Sequence, residues 1–167
     1  FEHSGDGSDP LGALIAYVNS TGDPTRTLFQ ISINLAVEED PDARRLTLAH
    51  EFSHIFTQED SQLDRTMDPF ACPTYYNGEG CFEADAYITH WIAAFWDPAE
   101  IEAIDPWVQD ADRAQARCKV DGGFLGTYAA TSPEEDFAEA FSAFVFDLPV
   151  ATPGLRARYA FFEERPA

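Results

Sequence analysis

The spacing of apolar positions changes along the chain, and each spacing predicts an element. Leu14 to Val18 and Leu28 to Ala36 read as strands; in the second, Phe29, Ile31, Ile33 and Leu35 alternate with Gln30, Ser32 and Asn34 at period two. Thr21-Gly-Asp-Pro24 is the turn between them, so an antiparallel pair with one face on the core and one wet face is expected. Residues 1–10, with Ser4-Gly-Asp-Gly-Ser-Asp-Pro10, read as a loose end.

Helical spacing starts at Asp40-Pro41, where the carboxylate can cap the first turn and the missing proline N–H costs nothing. From Pro41 to about Phe56 the stripe Leu46, Ala49, Phe52 and Ile55 or Phe56 is expected to be buried. The stretch from there to Gly80 is too rich in Pro, Gly, Asn and Asp for a regular element and reads as a functional loop or lid. Ala84 to Trp96 predicts a strongly apolar helix, stopped by Asp97-Pro98 and followed by a short one from about Ala99 to Ile104. Asp105 to Gly123 reads as irregular apart from a turn of helix around Asp112 to Cys118. Ser132-Pro133 opens a helix to about Phe146, with Phe137, Phe141, Phe144 and Val145 facing the core; Thr152-Pro153 opens the last, Gly154 to Glu163. No repeat or linker divides these elements. The expected fold is α+β: one mostly helical domain over residues 1–167, with a small N-terminal antiparallel sheet.

With 45% apolar and 14% aromatic residues among 167, the chain can bury a sizeable core. Thirty acidic residues against ten basic ones, a net charge of −20, repel phosphate backbones and anionic lipid, so neither nucleic acid nor membrane is an expected partner. That charge serves solvation, or a negative cleft that favours basic substrates. Cys72, Cys81 and Cys118 cannot all pair within one chain, and they lack the spacing of a zinc ribbon or a thioredoxin-like site. One disulfide plus one free thiol is the simplest arrangement, and each of the three pairings stays open, as do reduced thiols. Cys72 and Cys81 bracket a turn-rich stretch where a covalent loop would suit an exported protein, and there the Tyr75 to Gly80 segment would wall a cleft.

His50-Glu51-Phe52-Ser53-His54 falls within the first predicted helix. Residues four apart share a helical face, so both imidazoles can reach one metal ion, with Glu51 beside them. A catalytic zinc site needs a third protein ligand and an open position for water, whose pKa falls from 15.7 to about 7. Glu51 is then the expected proton acceptor. His3, in the loose end, and His90, on an apolar helix, are not expected to be ligands. The residues after His54, Ile-Phe-Thr-Gln-Glu-Asp-Ser, hold no ligand at metzincin spacing. A downstream helix must supply one, and the helix from Pro133 carries Glu134, Glu135, Asp136 and Glu139, with Glu135 and Glu139 one turn apart and opposite its phenylalanines. That is the layout of a gluzincin. Ser132 and Glu135 also have the spacing of a capping box, a role that competes with ligation, and Asp136 is the rival ligand.

The segment Tyr128-Ala-Ala-Thr-Ser-Pro-Glu-Glu-Asp-Phe-Ala-Glu-Ala-Phe141, downstream of His50-Glu-Phe-Ser-His54, resembles the paired motifs of the anthrax lethal factor catalytic domain and the Pro-Pro endopeptidases. The resemblance implies a zincin-like fold and an endopeptidase whose Zn²⁺ is held by His50, His54 and Glu135. It also implies Glu51 as general base, Tyr128 as stabiliser of the oxyanion, and Glu139 as the acceptor that orients a zinc-bound histidine. Thr74-Tyr-Tyr-Asn-Gly-Glu-Gly-Cys81 and Tyr159-Ala-Phe-Phe-Glu-Glu-Arg-Pro166 extend a closer similarity, over most of residues 44 to 166, to a set of secreted and largely uncharacterised bacterial zinc peptidases. The protein is accordingly expected to be secreted, with its signal peptide absent from this chain, and to act as a monomer on protein or peptide substrates. A cysteine-containing insertion between the motifs, and Asp136 where an aromatic follows the ligand, depart from the lethal factor pattern, so substrate specificity does not carry over. The rival readings are a non-catalytic secreted module stapled by its metal and a zinc amidase acting on a non-protein amide. Serine or cysteine hydrolase chemistry finds no G-x-S-x-G elbow, and Gly122-Gly123-Phe-Leu-Gly126 lacks phosphate-loop spacing.

Overall fold

Side chains that cap helices set most of the element boundaries. The computed structural model describes residues 16–20, 29–34, 40–108 and 110–164. The expected loose end with His3, the turn from Thr21 to Pro24 and the outer ends of both expected strands lie outside these residues. Strands β1 (Ala16–Ser20) and β2 (Phe29–Ile33) pair antiparallel, in register from Ala16 with Ile33 to Ser20 with Phe29. Helix α1 (Pro41–Thr57) starts where Asp40 accepts the Asp42 N–H at 3.0 Å. Strands β3 (Leu63–Asp64) and β4 (Cys81–Phe82) form a second, two-residue antiparallel ladder, within the stretch expected to be irregular.

Helix α2 (Tyr87–Phe95) has no side-chain cap and begins later than the apolar run suggests. Helix α3 (Pro98–Glu102) carries a full capping box between Asp97 and Glu100. Helix α4 (Ala111–Val120), capped by Asp110, extends the single turn expected there. Helix α5 (Pro133–Val145) is capped by Ser132, and α6 (Pro153–Glu164) begins where Thr152 accepts the Leu155 N–H at 3.1 Å. The fold is thus mixed α+β with small antiparallel sheets. Among the described residues no helix is long and apolar enough to cross a membrane.

Helix α5 packs on α1, α2 and α6, and Phe137 sits where they meet. Its ring lies 5.1 Å from Trp91 and 5.2 Å from Phe162, edge to face in both cases. Such pairs add about 0.5–1.5 kcal/mol each beyond the area they bury. Asp136, next in the chain, is 1% exposed; it takes Arg158 in two hydrogen bonds of 2.9 and 3.0 Å and the Trp91 and Trp96 indole N–H groups at 2.9 and 3.1 Å. A Cβ at Gly123 would stand 1.7 Å from Arg158 Nη1, so only glycine lets that guanidinium reach its place.

Three expected faces come out differently. On α1, Phe52 is 52% exposed, and the buried positions are His50, Glu51, Ser53 and Thr57. Burying hydroxyls is possible because Ser53 donates to the His50 carbonyl at 2.7 Å and Thr57 to that of Ser53 at 2.8 Å. On β2 the period of two holds but its phase is reversed: both strands contact α1, and the face that is covered carries Ser32 and Asn34. On α5, Val145 is half exposed, because Ala138, Ala140 and Ala143 fill the close helix contacts instead.

Candidate metal centre

The polar face of α1 is turned towards the first turns of α5, and this brings the predicted site residues together. His50 Nε2 and His54 Nε2 are 3.2 Å apart, as expected for residues four apart on one helix. From α5, Glu135 Oε2 comes to 3.0 Å from His50 Nε2 and 3.6 Å from His54 Nε2. Ligands held at about 2.0–2.1 Å around a tetrahedral zinc lie about 3.3–3.4 Å from one another, and the three separations bracket that value. Glu135 Oε2 and His54 Nδ1 are buried and have no hydrogen-bond partner among the described residues. Three donor atoms converging on one point, with an orphaned carboxylate oxygen among them, fit a cation. His50, His54 and Glu135 form a group able to hold a metal ion.

Electrostatics favour positive charge at the same point. Burial alone would lower the His50 imidazole, but the Glu135 and Glu139 carboxylates outweigh it and hold it at about 10. Burial alone would raise Glu135, but the His50 and His54 rings hold its carboxyl well below the usual carboxylate range. On the far side of the His50 ring, Nδ1 lies 3.1 Å from Glu139 Oε1. In the neutral ring that binding a metal would require, an N–H donated there leaves the lone pair on Nε2, on the side of Glu135.

Glu135 keeps both roles its position allows. Its backbone N–H donates to Ser132 Oγ at 3.3 Å, which caps α5, while its carboxylate goes to the histidines rather than closing a capping box. Asp136 points away, into the Trp91, Trp96 and Arg158 cluster, and His90 has no place in the metal-binding group. Burial raises the Glu51 carboxyl, against the opposing pull of His54 and His50. Tyr128 lies just before α5 in a turn held by Thr131, whose N–H and hydroxyl both donate to the Tyr128 carbonyl. Its ring sits 5.9 Å from that of His50. Burial, and then the Glu135 carboxylate, push the Tyr128 phenol above its usual value.

Cys72 and Cys81 form the disulfide, and Cys118 is free. The loop closed by that bond supplies Tyr75, Asn77 and Glu79 to one wall of a cleft of about 280 Å³ that opens onto His54 and Glu135. Trp107 and Glu134 line it as well. Glu134 is 7% exposed and accepts the Tyr75 hydroxyl at 3.2 Å. No pattern along the chain points to that pair, whose members are 59 positions apart.

Compared with protein-family models, curated proteins and solved structures, the chain finds no match.

Proposed function

We propose that the protein is a secreted zinc endopeptidase of zincin-like fold and gluzincin type. The observation that carries this reading is the meeting of Glu135 from α5 with His50 and His54 of α1. Two imidazoles and one carboxylate are a donor set used by catalytic zinc, with a further position left open. When bound, zinc supplies Lewis acidity, which activates a water near neutral pH and polarises a carbonyl.

The chain's own residues do the rest. Glu51 takes the proton of the attacking water and then passes it to the leaving amine. Its burial-raised carboxyl suits that double task, because a base closer to the working pH both accepts and releases a proton readily. Tyr128, with its phenol pushed up, keeps its proton at neutral pH and donates a hydrogen bond to the negative oxygen developing on the attacked carbonyl. Glu139 holds His50 in the ligating tautomer. The Cys72–Cys81 disulfide supports an oxidising, extracellular setting.

Metal analysis together with a peptide-library digest, with and without a chelator, tests the proposal. The expected result is about one zinc per chain and cleavage abolished by the chelator. Glu51→Gln is expected to keep the metal and lose cleavage, and His50→Ala to lose both. Loss of zinc from Glu51→Gln, or cleavage left intact in it, overturns the assignment.

A further inference from the structure

The cleft beside the metal centre has an uneven electrostatic lining. Its carboxylates include Glu79, Asp105 and Glu134 besides the Glu135 ligand, and no lysine or arginine lines it. In a chain of net charge −20, exposed carboxylates alone mean little. Glu134 is different, because it is buried and its hydrogen-bonding neighbour in the cleft wall is a neutral phenol. No ion pair involving Glu134 or Asp105 occurs among the described residues. The His54 ring at the metal centre draws on Glu134 and the Glu135 carboxylate opposes it, but no lysine or arginine lines the cleft beside it, so Glu134 is held at a cost in free energy that a cation entering from the cleft would relieve. Trp107, which also lines the cleft, is 70% exposed and holds its ring beside Tyr76, with centroids 6.2 Å apart. Asp105 accepts the Trp107 backbone N–H at 3.0 Å, which ties the carboxylate and the indole into one turn. A volume of about 280 Å³ lies near the lower end for small-ligand sites and suits one long side chain.

We propose that this cleft receives a cationic side chain of the substrate, arginine or lysine, with Glu134 as its buried charge partner, Asp105 at the rim and the Trp107 face as its stacking wall. The proposal rests on the peptidase reading for what the cleft serves, but the binding itself is a property of these residues. A guanidinium or ammonium over an indole face gains from the ring quadrupole while its charge meets the carboxylates.

Two small probes of equal shape test it: N-acetyl-arginine methylamide and its uncharged counterpart, N-acetyl-citrulline methylamide, each titrated into the purified protein and followed by tryptophan fluorescence and NMR. The arginine probe is expected to bind tighter by about tenfold or more. Asp105→Asn and Glu134→Gln should each reduce that preference, and Trp107→Leu should reduce it by about two- to fivefold. Glu163→Gln, exposed on α6 away from the cleft, should leave it unchanged. Asp105 and Trp107 are surface positions, so their variants keep the test sound even where Glu134→Gln fails to fold. Equal binding of the two probes overturns the proposal, as does a preference that survives Asp105→Asn and Trp107→Leu or that falls equally in Glu163→Gln. The library digest separates this outcome from failure of the peptidase reading. Cleavage without Arg or Lys enriched at a fixed position sinks the subsite and leaves the peptidase. Charge-selective binding with no peptide cleaved supports the subsite and sinks the peptidase.

Discussion

Asp136→Asn strikes a buried ion pair one residue after the proposed ligand, and its cost can be worked from the contacts. Both indole N–H groups bond Asp136 Oδ2, so an amide oxygen in that place keeps them. The amide nitrogen then replaces Oδ1 and turns its N–H towards Arg158 Nε, donor against donor across 2.9 Å. Arg158 also loses its buried counter-charge; its side chain is 3% exposed, and Asp121, 3.7 Å away, offsets only part of the loss. Removing one partner of a buried pair costs about 3–5 kcal/mol, and with Asp121 near we expect about 3–4 kcal/mol. For a chain of this length that lowers the melting midpoint by about 6–16 °C. Adding Arg158→Met removes the clash and the stranded charge together while the amide still serves both indoles. The double variant is expected to recover about 2 kcal/mol or more. Burial pushes the Asp136 carboxyl up in spite of Arg158 and the indoles, so desolvation outweighs the attraction within the pair. Denaturant titration of the three proteins measures the differences. A single variant within about 1 kcal/mol of native, or a double variant no more stable than the single, would refute the reasoning.

Glu139→Ala should retain zinc but bind it about 10- to 100-fold more weakly in chelator competition, because His50 loses the acceptor at 3.1 Å that orients it; unchanged affinity would reduce that contact to a bystander. Replacing Cys72 and Cys81 together by serine opens a loop of sequence separation 9 and should cost about 2.5 kcal/mol in denaturant titration, whereas native-like stability would count against the loop as a fixed wall. In the metal-free protein the Glu51 carboxyl, raised by burial, should titrate above the usual Glu value of about 4.3 when followed by NMR. A titration at or below that value would show that burial does not tune this carboxyl.

Helix starts were legible because their causes are local. Asp40-Pro41, Ser132-Pro133 and Thr152-Pro153 each hold a capping side chain and a proline within two positions, and each opens a helix, whereas Asp97-Pro98, expected as the stop of the helix before it, also caps and opens α3. The two histidines were legible for the same reason, since four-residue spacing fixes a shared helical face whatever else the fold does. What a face meets is not local. The phenylalanine of the pentapeptide, Phe52, reads as a core residue by hydropathy, yet the polar side of α1 is covered because α5 brings carboxylates for the histidines to meet. Helix α4 is longer than the single turn its pattern predicts, because few of its residues are buried, chiefly Ala114 and Arg117, and it shows no apolar stripe; the Asp110 cap and the Arg117–Glu100 pair hold it instead. Asp136 and Arg158 are 22 positions apart, and neither residue type announces a buried partner.

The three acidic residues opening α5 are physically linked through their spacing. Successive residues on a helix point about 100° apart, so Glu134, Glu135 and Asp136 must face three directions from one turn. Each direction has its own receiver: the Tyr75 hydroxyl and the cleft for Glu134, the two histidines for Glu135, and the two indoles with Arg158 for Asp136. Because the backbone of that turn is rigid, satisfying any one of them fixes the rotation of the helix for the other two. The strongest constraint is the Asp136 cluster, which is buried and makes four hydrogen bonds. It lies in the core, where no ligand is needed to form it, so the rotation that presents Glu135 to His50 and His54 is set by folding alone. Residues in such a cluster act on the site without touching it. A substitution there that leaves the protein folded should therefore appear as weaker metal binding at Glu135 and altered binding in the cleft at Glu134 together, because both carboxylates swing with the same turn.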